Sequence, residues 1–338
     1  MRTTLTTLLL VLLCCSARAA GTLEVYFIDV EGGQATLIVS PTGESMLVDT
    51  GWPDAKGRDA ERIVSAARLA GVKQIDYLVV THYHMDHVGG VPQLAERIPI
   101  RTFVDHGPSV EHGAEADLLV AAYQSVRDNG KHLLAKPGEM IPIRGIKVQI
   151  VTAAGEEISS PLPGAGAPNP LCAGAKRKEP DPSENAQSVG MLITYGKFRM
   201  IDLGDLTWNK ELGLACPDNK IGTIDLYLST HHGLDQSSAP PLVHALHPLV
   251  AIMNNGARKG GSVEAWQTMH SSPGLEDIWQ LHFALEAGKA NNAPDDFIAN
   301  LEEHCAGNWI KVAAEPDGHF TVTNSRNGKT KTYQPAAQ

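Results

Sequence analysis

Aromatic residues make up only 5% of this 338-residue chain. Rows of stacking side chains, on which single-stranded nucleic acid would lie, are therefore not evident. Net positive charge is missing as well. With 38 acidic and 28 basic residues the formal charge is -10, so the chain as a whole is no duplex-DNA footprint, although a local groove can still be positive. Cysteine is sparse. Two of the five, Cys14 and Cys15, fall in the first twenty residues, and Cys172, Cys216 and Cys305 remain, an odd set without CxxC spacing. That excludes a disulfide framework but leaves room for one pair, of which Cys172 with Cys216 is favoured. Beyond residue 20 no apolar run is long enough to cross a bilayer. What is present is a globular composition, 43% hydrophobic and 20% charged, at a length that suits one large domain or two ordinary ones.

The opening "MRTTLTTLLLVLLCCSARAA" stands apart from the rest. Arg2 supplies a positive start, Leu8–Leu13 a short apolar centre, and Ala17–Ala19 small residues suited to cleavage. Residues 1–20 therefore read as a signal peptide, which predicts a secreted or periplasmic protein with no transmembrane segment after the leader is removed. The folded domain is expected over 21–333.

Within it, "LEVYFIDV", "ATLIVS" and "SMLVDT" predict an antiparallel meander, and "GRDAERIVSAARLAGV" a helix stopped at Gly71. "IDYLVV" reads as a buried strand and "AEADLLVAAYQSVRDNG" as a helix. Residues from about 155 to 185, rich in Pro, Gly and Ala and carrying the basic run Lys176-Arg177-Lys178, form a loop or insertion too poor in apolar side chains for a core of its own. Strands resume at "SVGMLITYG", "FRMIDLG", "IDLYLS" and "PLVAIMNNG". Helices are expected around Ala239–His247, Val263–His270 and Leu275–Gly288, with turn-linked strands at the end and fraying after Tyr333. "IDYLVVTH" and "IDLYLSTH" echo one another, each delivering a histidine at a strand's C-terminal tip. The echo suggests two related half-units facing one site.

The chemistry concentrates in "VVTHYHMDHVGG", where His82, His84, Asp86 and His87 fall within six positions after an apolar strand. On extended backbone His82 and His84 project to one side, and Asp86 and His87 begin the next turn. Nitrogen and oxygen donors at such close range suit zinc or a similar divalent ion. "DLGDLT" places Asp205 at another strand end, able to touch one ion or bridge two. "LSTHHG" places His231 and His232 at a third. By register with the echo, His231 is expected to ligate and His232 to handle protons or support a ligand; the reverse assignment stays open. Asp49 in "LVDTG" is expected to support the metal shell by accepting hydrogen bonds.

"THYHMDH" matches the His-x-His-x-Asp-His signature of the metallo-beta-lactamase superfamily. "FIDVEGGQATLI", "LVDTG", "NAQSVGMLITYGKFRMIDLGD" and "STHHG" resemble more closely the metallo-hydrolase domain of competence (DNA-uptake) proteins and its secreted stand-alone relatives. The likeness covers most of Leu23 to about Gly256, and a C-terminal part of about 257–333 matches less clearly. The resemblance implies an α/β fold, a four-layer alpha-beta/beta-alpha sandwich with the site at one edge. Carried over by motif, His82 and His84 would hold one metal, Asp86, His87 and His231 the other, and Asp205 would bridge. The histidine that many members place some twenty residues before the bridging aspartate is Asn185 here. His106 is a possible substitute, and one metal site could be weak or absent.

These features predict a secreted metal-dependent hydrolase using Zn2+, one or two ions, with Mn2+ as an alternative. The ion would activate water, Asp86 would orient the nucleophile or accept its proton, and His232 or Lys259 would assist the leaving group or hold an anion. The substrate is expected to be a phosphodiester or other small molecule, with no stable duplex-DNA binding. Two alternatives stand beside this: hydrolysis of a lactone, ester or beta-lactam at the same centre, and a non-catalytic, metal-stabilised binding module of the envelope.

Overall fold

Leu23, Val25 and Phe27 in strand Leu23–Phe27 are buried between two sheets, whereas Tyr26 and the following Ile28 are buried on the other face, beneath helices. Met46 and Val48 face the inter-sheet core and Leu47 the helices; Val79 and Leu78 divide in the same way. A pleated strand sends alternate side chains to opposite faces, and a strand apolar on both faces has to be covered on both. The four layers, helices–sheet–sheet–helices, follow from that patterning. A computed structural model of the chain describes residues 21–53 and 56–335. The expected leader, residues 1–20, and the extreme C-terminus, residues 336–338, lie outside the described residues.

The first sheet runs in spatial order Thr330–Tyr333, Phe320–Asn324, Ile310–Ala314, Leu23–Phe27, Thr36–Val39, Ser45–Val48, Ile75–Val79, Ile100–Asp105, Lys131–Leu134. The second runs Ile298–Asn300, Asp277–His282, Val250–Met253, Leu226–Leu228, Phe198–Asp202, Gly190–Tyr195, Lys147–Ala153, Met140–Ile141, with Glu156–Glu157 also paired to Lys147–Ala153. Helices Arg58–Leu69 and Val91–Ala95 cover the outside of the first sheet through Ala60, Ile63, Val64, Val91 and Leu94. Trp208–Ala215, Pro240–Leu246 and Val263–His270 cover the second through Leu214, Leu242, Leu246, Trp266 and Met269. Asp59 and Glu61 in the first turn of Arg58–Leu69, and Arg68 in its last, complement the helix dipole.

The expected helix over Leu275–Gly288 is corrected to a strand, Asp277–His282. Leu275, Ile278, Leu281 and Leu285 fall at helical spacing, which suggested the helix. Ile278 meets the helical layer, while Trp279 and Leu281 enter the inter-sheet core. A strand buried on both faces has no clean two-residue alternation, so its apolar run imitates a helix. The last three strands add to the first sheet: Ile310–Ala314 pairs antiparallel with Leu23–Phe27, Val312 opposite Val25. In the insertion, Ala167–Pro168 pairs with Asp218–Asn219, and Cys172 is bonded to Cys216, Cα to Cα 5.7 Å. The loop is thus fastened to the domain where its own apolar content could not hold it.

A buried ion cluster joins the two half-units. Asp29, just beyond the first strand, meets the His282 ring at 2.8 Å and Arg62 at 2.9 Å, and Cys305 Sγ lies 3.0 Å from it. Burial pushes His282 down, but Asp29 and Cys305 outweigh it and lift the ring to about 9. A group raised in this way contributes stability that is fully present below its ordinary value, about 6.5, and is lost as pH climbs through about 9. The shift corresponds to roughly 3 kcal/mol. Wild type is therefore expected to lose melting temperature between pH 6.5 and 9.5 more steeply than His282→Gln. Parallel losses in thermal scans of the two proteins would remove the cluster from the stability of the fold.

The site is set by strand direction. Ser45–Val48, Ile75–Val79 and Ile100–Asp105 are parallel neighbours in one sheet, and Phe198–Asp202, Leu226–Leu228 and Val250–Met253 in the other. Their C-terminal ends share an edge of the sandwich, where ligands collect in sheets of this kind.

Candidate metal centre

Every chemistry-bearing segment leaves one of these tips. Asp49 follows Ser45–Val48, His82 to His87 follow Ile75–Val79, Asp205 follows Phe198–Asp202, and His231 and His232 follow Leu226–Leu228. After His84 the chain turns into the short helix Met85–Val88, which lifts Asp86 and His87 toward the second sheet. Gly90 allows this turn to seat against the Asp49 loop: a Cβ there would lie 2.2 Å from the Thr50 carbonyl oxygen.

Asp86, His87, Asp205 and His232 are all buried, and one donor atom from each lies within 4.8 Å of the others. His87 Nε2 is 3.2 Å from Asp86 Oδ2 and from Asp205 Oδ2. His232 Nε2 is 3.2 Å from Asp86 Oδ2, 3.3 Å from Asp205 Oδ1 and 3.2 Å from His87 Nε2. His231 Nε2 comes within 3.3 Å of Asp205 Oδ2, and His82 Nε2 within 4.0 Å of the same oxygen. His84 is placed one ring further out, Nδ1 3.1 Å from His82 Nε2. All six expected ligand positions and His232 thus converge on one edge, with Asp205 between the His82–His87 segment and the tandem histidines.

The outer faces of the rings determine what their inner faces offer. His87 Nδ1 donates to Asp49 Oδ2 at 2.7 Å. Thr81 donates its hydroxyl to the same carboxylate, so the Thr81 oxygen accepts from His82 Nδ1 at 3.0 Å. His84 Nε2 donates to Glu111 Oε1 at 3.1 Å. Ser237 donates to the Leu206 carbonyl, leaving its oxygen to accept from His231 Nδ1 at 3.4 Å. In each ring the proton is held outward and a lone pair is turned inward, the arrangement that metal-bound histidines need. Lone pairs facing carboxylates at 3.2 Å repel unless a positive charge sits among them. Burial opposes a charged His87, yet Asp205, Asp86 and Asp49 overcome it and hold the ring well above its ordinary value. Burial likewise works against charge on Asp205 and Asp86, and His232 and His87 keep both carboxyls well below theirs. Burial pushes His231 down to about 4, against the pull of Asp205, and drives His82 well below its ordinary range. The cluster fits a divalent ion: the positive charge that Asp205, Asp86 and Asp49 favour on His87 is one that zinc or manganese would supply in its place, and imidazoles with carboxylates, without a thiolate, are a donor set for either.

The tandem histidines depart from the register of the echo. His231 and His232 both adopt left-handed backbone, φ 56° at each, a conformation that is uncommon and costly for residues other than glycine. The two rings consequently fan to either side of Asp205, His231 toward Oδ2 and His232 toward Oδ1. His232, expected as the supporting residue, occupies the four-donor group, and His231 flanks it.

The His106 ring is engaged by Glu184 at 2.9 Å and lies against Tyr83. Asn185 is buried and its Oδ1 has no hydrogen-bond partner; it lines a cleft of about 310 Å³ together with Lys178, Asp181, Trp208 and Gln236. A second cleft, about 380 Å³, opens beside His84 and Glu111. Asp49 carries the role expected of it, accepting from Thr81 N, Thr81 Oγ1 and His87. Glu111 and Ser237 were not singled out from the sequence. Each reaches its histidine from a loop with no fixed spacing to the motif, so the sequence held no signal for them.

A family model, "Metallo-beta-lactamase superfamily", matches residues 28–173, which include the His-x-His-x-Asp-His segment. The likeness to the metallo-beta-lactamase superfamily is carried by this stretch, which is less than half of the chain. Members of this superfamily are generally metal-dependent hydrolases, and the cluster supplies a candidate metal site. The chain is 23% identical over 250 residues to "ComE operon protein 3" of Bacillus subtilis (strain 168), which covers 69% of this chain and 28% of that protein. It is 33% identical over 84 residues to "Atrochrysone carboxyl ACP thioesterase dmxR1" of Cryptosporiopsis sp. (strain 8999), covering 23% of this chain and 24% of the relative. The chain thus spans about a quarter of the length of these curated relatives. Among solved structures, the metallo-beta-lactamase fold protein YhfI from Bacillus subtilis aligns with a TM-score of 0.46 at 13% identity, covering 77% of this chain and 96% of that one.

Proposed function

We propose that this protein is a secreted, metal-dependent hydrolase that cleaves a phosphodiester. The observation that carries the reading is the buried group Asp86, His87, Asp205 and His232, with donor atoms within 4.8 Å of one another and the His87 ring oriented from outside by Asp49. A divalent ion held there, zinc or manganese, supplies Lewis-acid activation of water and neutralises charge developing on the attacked group. Asp86, His87, Asp205 and His232 would hold an ion, and His82 and His84 could contribute to a second. Asp49, Thr81 and Glu111 orient the rings. Asp86, at the mouth of the group, also positions the attacking water. His231 supports Asp205 from the flank.

Phosphodiester chemistry is favoured by the wall beside the centre. Lys178 lies over the Trp208 ring, 4.0 Å from its centroid, in the cleft that Asn185 lines, and Lys176 and Arg177 precede it. A cation over an aromatic ring suits a phosphorylated, ring-bearing substrate, although Glu179 and Asp181 line the same cleft. Export is supported by the signal-peptide reading of residues 1–20 and by the Cys172–Cys216 disulfide, a bond that persists in oxidising compartments. A carbonyl substrate is the second reading, and the local likeness to a protein named as a thioesterase favours it.

The test is metal analysis of the purified protein followed by parallel rates on a phosphodiester, a lactone and a thioester, for wild type and Asp86→Ala. We expect the phosphodiester to be turned over fastest and the variant to lose on the order of a thousandfold with its fold retained. Faster thioester or lactone turnover would transfer the assignment to the second reading. Zinc- and manganese-loaded protein inert on all three would remove catalysis.

A further inference from the structure

We propose that Lys259 is an anion clamp that the metal releases: the residue binds Asp86 until a divalent ion claims that carboxylate, and then holds the anionic group of the substrate. The proposal rests on the hydrolase reading above for the identity of the substrate, but not for the exchange itself.

The geometry begins in the backbone. The loop that follows strand Val250–Met253 carries Lys259 between glycines that admit no side chain. Gly260 has φ +79°, and a Cβ on it would lie 2.2 Å from the His232 carbonyl oxygen. On the other side, Gly256 N donates to the Lys259 carbonyl at 2.8 Å, and a Cβ on Gly32 would come within 2.9 Å of Lys259 Cβ. The loop is therefore wedged between the tandem histidines and the loop after the first strand, and Lys259 leaves it at a fixed place. From there its ammonium hydrogen-bonds Asp86 Oδ2 and lies 5.0 Å from the centroid of the Trp52 ring. Its side chain is 32% exposed, against 9% for Asp86. One side of the ammonium faces the buried donors and the other faces solvent.

Asp86 Oδ2 is the oxygen that His87 and His232 also approach at 3.2 Å. A divalent ion among those donors and the ammonium compete for it, because two like charges cannot share one carboxylate oxygen in a partly buried site without strong repulsion. A lysine is suited to such an exchange. Its charge is a point at the end of a flexible stem with no preferred plane. Displaced from Asp86, it stays tethered by the rigid loop and keeps a favourable neighbour in the face of Trp52. An anionic oxygen of a substrate at the metal mouth is then its nearest unpaired partner. A phosphate and a carboxylate share that chemistry.

The experiment uses the whole chain, stripped of metal. Zinc is titrated calorimetrically into wild type, Lys259→Met and Lys259→Arg, and inorganic phosphate or acetate is then titrated into each zinc-loaded protein. Removing the competing cation is expected to tighten zinc binding to Lys259→Met roughly tenfold, and removing the clamp to weaken phosphate roughly tenfold. Lys259→Arg should keep most of the phosphate affinity. Acetate weakened in place of phosphate would identify a carboxylate as the anion while leaving the clamp intact. Unchanged zinc and unchanged anion affinities in Lys259→Met overturn the proposal, and far-UV circular dichroism checks that the variant is folded. Neither titration depends on turnover. Protein that binds as described but hydrolyses no phosphodiester would refute the proposed function and keep the clamp.

Discussion

Asp205→Asn is expected to fold and to lose its metal. The substitution preserves the shape of the side chain and removes its charge, so the effect isolates electrostatics. Asp205 is buried, with four rings converging on its two oxygens: His82 at 4.0 Å, His87 at 3.2 Å, His231 at 3.3 Å and His232 at 3.3 Å. A neutral amide would present one oxygen and one N–H group where two acceptors now stand. The N–H would point at an imidazole lone pair and close it. We expect metal affinity to fall on the order of a hundredfold or more, beyond the usual loss for a residue that only orients a ligand. Turnover should fall by about a thousandfold. Equilibrium dialysis with elemental analysis measures the first and initial rates under saturating metal the second. A variant that keeps full metal occupancy and full activity would show that the carboxylate is incidental to the centre, and the hydrolase assignment would fall with it.

The same residues show how far the sequence could be read. The His82–His87 cluster was legible because its donors are contiguous and follow an apolar strand. The spacing alone places them together, whatever the rest of the chain does. The antiparallel meander and the helix at Arg58–Leu69 were legible for the same reason, each resting on a local pattern. Two things were not. Strand Asp277–His282 is buried on both faces by partners far away in sequence, and nothing local separates such a run from a helix. The orientation of the ligands was hidden as well. Glu111 and Ser237 meet their histidines only after folding, at sequence separations of 27 and 6. Periodicity carries no information about loop conformation.

The tandem histidines are where local reading and folded geometry part, and they give the second large prediction. The echo between "IDYLVVTH" and "IDLYLSTH" assumes that the chain stays extended through the final histidine. It holds for the first copy. In the second, left-handed backbone at His231 and His232 rotates each ring away from the position that an extended strand would give it. The consequence is a division of labour. His232 is fully buried among Asp86, His87 and Asp205, whereas of these three His231 meets Asp205 from the flank and is held on its other side by Ser237. Asparagine is the substitution of choice because, glycine apart, it tolerates left-handed backbone best. The loop therefore keeps its path while the ring is lost. His232→Asn is expected to lower metal affinity about a hundredfold and to abolish measurable turnover. His231→Asn should cost about tenfold, the range for a residue that holds a ligand in place. Elemental analysis and rates measured side by side decide between them. The opposite order, with His231→Asn the more damaging, would restore the register of the echo and would require the His232 ring to serve the reaction without holding the ion.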